Sequence, residues 1–153
     1  MRWDYRDPPL AWLFVAAYAA HVLEEWFGGF PEWLAFVAGA PLPRGAFVVI
    51  NGVALVAMIA GTLAATRRES LGWIAIAIAT LLFANGVLHI LGSIATGRYS
   101  PGLITGVILY VPLGQLALMR AWQQAPDGFF VRGVLAGLAV HALVSFVAFA
   151  LAR

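Results

Sequence analysis

The chain has 153 residues, about one domain's worth. Hydrophobic residues make up 63% and charged residues 10%, with a mean hydropathy of +0.91. A soluble domain of this size spends roughly a quarter of its residues on charge, so much of this surface faces lipid. All the basic residues are arginine, and the net charge of +2 is scattered rather than gathered into a basic patch, which argues against a nucleic-acid partner. With no cysteine, a disulfide framework, a thiolate metal site and a thiol nucleophile are all excluded.

In chain order, a charged, Pro-Pro-punctuated N-terminus leads into a first apolar stretch, about 10–27. Arg2 and Arg6 before it and Ala38-Gly39-Ala40 after it have the flavour of a signal peptide. That cleavage-like site lies too far downstream and follows a Glu pair, so an uncleaved helix is expected. The stretch 28–44 is rich in Gly, Pro, Trp and Phe and reads as an interfacial loop or short re-entrant helix. Further apolar stretches follow at about 46–66, 71–96, 102–122 and 129–151. Each approaches the roughly 20 residues needed to cross hydrocarbon. Lipid offers no partners to backbone groups, so the spans must be helical. The expected fold is all-α: a polytopic transmembrane bundle of about five spans, with 1–153 as one membrane domain.

Arg2, Arg6, Arg67, Arg68, Arg120 and Arg132 fall on the N-terminal side, and Arg44, Arg98 and Arg153 on the other. This bias predicts a plasma-membrane protein with a cytoplasmic N-terminus and an external C-terminus. Gly102-x-x-x-Gly106 and Gly133-x-x-x-Gly137 suit close helix packing within the chain first and dimerisation second.

The first span ends in His21-Val22-Leu23-Glu24-Glu25. Residues three and four apart share a helix face, so one imidazole and one carboxylate can be presented together. A charge deep in a membrane helix costs about 2.5–3.5 kcal/mol, which makes the pair expensive. In the bland alternative both carboxylates are solvated at headgroup level, and Glu24 is expected to be the more dispensable. The third span carries Asn85-Gly86-Val87-Leu88-His89, another i, i+4 pair, which as a purely structural feature would bridge two helices. At about 1.5 Å per residue, His21 and His89 come to one level in the outer half. Asn51 and Tyr110 lie near it, with His141 somewhat deeper, while the inner half is almost wholly apolar.

With H-x-x-E-E at His21–Glu25, N-x-x-x-H at Asn85–His89 and Y-x-P-G at Tyr99-Ser100-Pro101-Gly102, the sequence resembles the HXXEE family of small multi-pass membrane proteins, found mostly in bacteria. The resemblance covers most of the chain and implies an enzyme built on these polar motifs, without naming its reaction. In the third motif Pro101 suits a first helical turn, Gly102 allows close approach, and Tyr99 fits the outer rim, either as an aromatic anchor or against substrate.

Three functions remain open. In a metal-dependent hydrolase or oxidase of a lipid-soluble substrate, His21, Glu25 and His89 would ligate zinc or iron, with His141 a candidate fourth ligand. Glu24 would support a ligand or act as general base, Asn85 would orient a ligand, and Tyr99 would touch substrate. In a metal-free isomerase or cyclase, the same carboxyl and imidazole groups would move protons on an isoprenoid or sterol-like lipid. A non-enzymatic ion-binding or structural role is the third, although the apolar inner half argues against a through-path.

Overall fold

The computed structural model describes residue 4 and residues 6–152. Arg2 and Arg153, which entered the orientation argument, lie outside the described residues. Five long helices dominate: α1 (Pro8–Gly28), α4 (Arg44–Arg67), α5 (Trp73–Thr96), α6 (Leu103–Gln124) and α7 (Phe129–Leu151). Two single-turn helices, α2 (Phe30–Trp33) and α3 (Ala35–Ala38), fill the segment between α1 and α4. No strand occurs among the described residues.

Punctuation sets the ends. Pro8 and Pro9 occupy the first turn of α1, where their missing N–H groups are not needed. Gly29 then closes the helix at φ 78, and its N–H bonds back to Glu25 and Trp26 carbonyls. A short 3₁₀ turn, Glu69–Leu71, joins α4 to α5, and Gly97 at φ 63 ends α5. Within α6, Gly106–Tyr110 widens into a π turn, with the Val111 N–H reaching the Gly106 carbonyl. Pro112 follows at once and cannot donate to the Ile108 carbonyl, so the regular ladder could not have continued there.

Four helical stretches, Arg44–Arg67, Glu69–Thr96, Leu103–Gln124 and Phe129–Leu151, are long and apolar enough to cross a membrane. The fifth, α1, has the length but falls short in hydropathy because His21, Glu24 and Glu25 crowd its end. Instead it turns a stripe inward: Leu10, Phe14, Ala17, Tyr18, His21 and Glu25 are all buried. The central helix is α5, whose span is 39% buried against 6% for α7, which presents Leu135, Leu143 and Phe146 outward. The lipid side of the bundle is therefore apolar, as a helix hydrophobic all round requires.

Small residues bring the helices together. A Cβ on Gly137 would overlap the Ala77 carbonyl oxygen and stand 2.8 Å from Thr80 Cβ, and one on Gly133 would stand 2.5 Å from Ile76 Cβ. The Gly133-x-x-x-Gly137 stripe is thus the seam between α7 and α5, within one chain, as expected of intramolecular packing. Gly137→Val is expected to destabilise the bundle by at least about 1–3 kcal/mol through overpacking. Gly52→Ala, where the added methyl meets nothing within 4 Å, is expected to be neutral or stabilising by up to about 1 kcal/mol. Thermal unfolding in detergent compares the two.

Candidate metal centre

Two buried stripes deliver the reactive groups. On α5 the inward positions Ala75, Ala79, Leu82, Gly86 and His89 repeat at helical spacing, and His89 closes the row. His21 and Glu25 close the corresponding row on α1. The helices cross so that His21 Nε2 and His89 Nε2 converge on one oxygen, Glu25 Oε1, at 3.5 and 3.3 Å. All three residues are at most 6% exposed. One ligand atom from each lies within 4.8 Å of the others, so this group could hold a metal ion.

The opposite nitrogens are held by hydroxyls. His21 Nδ1 lies 2.7 Å from Thr105 Oγ1, and His89 Nδ1 lies 3.0 Å from Ser100 Oγ. Ser100 is itself fixed, its N–H donating to Ser93 Oγ at 3.0 Å. Each imidazole therefore turns one nitrogen to a hydroxyl and the other to Glu25, an arrangement that fixes ring orientation at metal sites. The rings meet edge to face at 4.8 Å. Tyr110, carried inward by the π turn, stacks on His21 at 4.3 Å, and Phe30 of α2 lies 5.7 Å from His89.

Gly102 makes this possible. It sits at φ 103, and a Cβ there would come within 2.6 Å of His89 Cε1 and 2.7 Å of His21 Cε1. The Pro-Gly turn thus closes directly over both imidazoles, and Pro101 packs against Gly28 at the end of α1. Close approach, rather than turn geometry alone, is what the glycine provides.

Glu24, half-buried, turns toward the Tyr99–Thr105 segment. Its Oε1 accepts from the Tyr99 hydroxyl and from the Gly102 and Ile104 N–H groups, the latter two at 3.1 and 2.9 Å. Its Oε2 accepts from the Thr105 N–H at 2.7 Å and the Thr105 hydroxyl at 2.5 Å. The carboxylate caps the start of α6 from a neighbouring helix, where free N–H groups favour negative charge. In the bland alternative this carboxylate is simply solvated, whereas here it is half-buried and accepts from the turn that opens α6.

The remaining candidates are not part of the three-donor group. His141 is outside the group, with Nδ1 3.2 Å from Ser145 Oγ. Asn85 Oδ1 is buried without a hydrogen-bond partner among the described residues. Tyr99 is exposed at the rim and reaches Glu24. Tyr18 donates to Asn51 Oδ1 at 2.7 Å, one turn inward of His21. Tyr110, expected near the same level, stacks on His21, whereas Thr105 and Ser100 were missing from the expected site. Their signal was slight: hydroxyl residues flanking a Pro-Gly turn at the depth of two histidines.

A polytopic helical membrane protein with a buried His–Glu–His centre is the class these features define. The family model described as "Protein of unknown function with HXXEE motif" matches residues 12–117, and the chain belongs to that HXXEE family. Neither the curated proteins nor the solved structures contain a significant match to it.

Burial, followed by its hydrogen bond to Glu24, pushes the Tyr99 phenol up to about 12 from its ordinary 10. The neutral phenol is thus favoured in the folded protein. Its contribution to stability is complete below about pH 10 and is lost as pH rises toward 12. Ultraviolet titration should show one tyrosine ionising near pH 12 that is missing from Tyr99→Phe. An ordinary titration near pH 10 for that residue would contradict the Glu24 contact.

Proposed function

We propose that this chain is an intramembrane metalloenzyme that binds one divalent ion, zinc or iron, through His21 Nε2, His89 Nε2 and Glu25, and acts on a lipid-soluble substrate in the outer half of the bilayer. The observation that carries the proposal is the convergence of two imidazole nitrogens on one buried carboxylate oxygen, at 3.5 and 3.3 Å. In a tetrahedral site with bonds of about 2.0–2.1 Å, donors stand about 3.3–3.4 Å apart. The His89–Glu25 side of the triangle, at 3.3 Å, already has that length, and the His21–Glu25 side, at 3.5 Å, is close to it.

Two imidazoles and a carboxylate leave a position open, which is the pattern of catalytic rather than structural zinc, and of non-haem iron sites. A bound ion there would supply Lewis acidity toward a substrate oxygen or lower the pKa of water. The protein's own part is orientation. Thr105 and Ser100 hold the rings, Tyr110 and Phe30 wall them in, and the Pro101–Gly102 turn shields them. Glu24, with five donors on its two oxygens, is engaged in structure, so the base of such a reaction is to be sought elsewhere. His141, bonded to Ser145, has no part in this ligand set.

The apolar exterior supports a lipid-soluble substrate, since any ligand reaching this depth from the side comes through hydrocarbon. Segment 29–43 lies over His89 through Phe30 and turns on left-handed glycines, Gly29 at φ 78 and Gly39 at φ 85. The arginine bias supports the centre facing outside, with the N-terminus in the cytoplasm.

Elemental analysis of the protein purified in mild detergent tests the reading. About one zinc or iron per chain is expected, and it should be lost in His21→Ala, His89→Ala and Glu25→Ala but kept in His141→Ala. Added metal at 100 times its dissociation constant should stabilise the wild type by about 2.7 kcal/mol. A wild type that takes up no metal even on reconstitution, or that binds it equally in the three variants, contradicts the proposal. The first of those results would leave a shared proton between Glu25 and the imidazoles, and acid–base chemistry on a lipid, as the reading to pursue.

A further inference from the structure

The residue next to Glu25 in sequence acts on the centre from outside it. We propose that Glu24, through the Thr105 hydroxyl, holds His21 in the tautomer protonated on Nδ1, so that its Nε2 lone pair is free to bind a metal. Glu24 and Thr105 are positioning residues, and the inference rests on the metal reading above.

Hydrogen counting leads there. A threonine hydroxyl has one proton to give and two lone pairs with which to accept. Thr105 Oγ1 lies 2.5 Å from Glu24 Oε2 and 2.7 Å from His21 Nδ1. Four further donors already point at the Glu24 carboxylate: the Tyr99 hydroxyl and the N–H groups of Gly102, Ile104 and Thr105. A carboxyl group so surrounded is ionised and can only accept. The short contact to Thr105 therefore uses the hydroxyl proton, and Oγ1 is left to accept from His21. That places a proton on Nδ1 and a lone pair on Nε2. His21 Nε2 is buried and makes no hydrogen bond of its own, while Glu25 Oε1 stands 3.5 Å away. A lone pair facing a carboxylate oxygen is repulsive unless a cation lies between them.

His89 is not constrained in the same way. Ser100 Oγ touches its Nδ1 and no carboxylate takes the serine proton in the contacts observed, so that hydroxyl can give or accept. The two imidazoles are thus unequal: one is set for ligation by a charged relay, and the other adapts.

The relay makes Glu24→Gln informative. An amide has one accepting and one donating end. Its oxygen belongs on the Oε1 side, where three donors converge, which turns the NH₂ group toward Thr105. That group donates to Oγ1, and the threonine proton is released to His21 Nδ1. The imidazole proton then belongs on Nε2, where it blocks a metal. Thr105→Val removes the relay at nearly constant shape, and Thr105→Ser keeps it.

Proton–nitrogen correlation spectra of metal-free protein with ¹⁵N-labelled histidine rings read this directly, with His21 assigned by its loss in His21→Ala. Wild type and Thr105→Ser should carry the proton on Nδ1, and Glu24→Gln and Thr105→Val should shift it toward Nε2. Zinc affinity should fall about 10–100-fold in Glu24→Gln and Thr105→Val and stay near wild type in Thr105→Ser, with helical content unchanged. Protonation of His21 on Nε2, or on both nitrogens, in the wild type would overturn the inference, as would an unchanged tautomer in a folded Glu24→Gln or Thr105→Val. Failure of the wild type to bind zinc would contradict the metal reading instead, and the ring spectrum would decide the tautomer by itself.

Discussion

A carboxylate buried in a lipid-embedded bundle needs compensation, and Glu25 is the residue around which this end of the bundle is arranged. Taking an ionised group out of water costs several kcal/mol even after relaxation, and at 6% exposure Glu25 has little water to fall back on. Its partners are the two imidazoles at 3.5 and 3.3 Å, brought from its own helix and from α5. Neutral imidazoles alone do not balance the charge, whereas a proton or a metal cation shared among the three does. The surrounding geometry serves to keep these donors aimed at one another.

That requirement reaches into the backbone. The approach of α1 to α5 leaves room above the rings only for a residue without a side chain, and Gly102 at φ 103 occupies it. The turn that carries Gly102 needs its N–H groups satisfied, and Glu24 satisfies them from α1. Having done so, the same carboxylate reaches Thr105 and, through it, His21. Further along α6, Pro112 breaks the regular ladder, and the π turn before it brings Tyr110 flat against His21. Structural and functional parts are not separable here, since the group that caps a helix also fixes an imidazole.

Much of this was legible in the sequence. The long helices follow from apolar length, and their ends from Pro8, Gly29, Gly97 and Gly128, because lipid forces helices and glycine or proline ends them. The pairing of His21, Glu25 and His89 followed from i, i+4 spacing and a shared depth, because helical rise converts sequence position into height. Hydroxyl partners did not follow. Nothing in the sequence distinguishes Ser100 and Thr105 from other small polar residues until the turn between α5 and α6 folds back over the rings. The role of Glu24 was hidden for a related reason: adjacent residues on a helix point about 100° apart, and only the position of α6 determines what the second carboxylate meets. His141, expected somewhat deeper than the other two histidines, is not in the three-donor group.

X-ray absorption at the metal edge of the zinc-loaded protein tests the centre most directly, because it counts the donors rather than inferring them from loss. Two imidazoles and one or two oxygen donors at about 2.0–2.2 Å are the expected shell, and that signal should be lost in His89→Ala. A shell of oxygen donors alone, or one indifferent to that substitution, would show that the ion binds elsewhere and that the His21–Glu25–His89 group is not a metal centre.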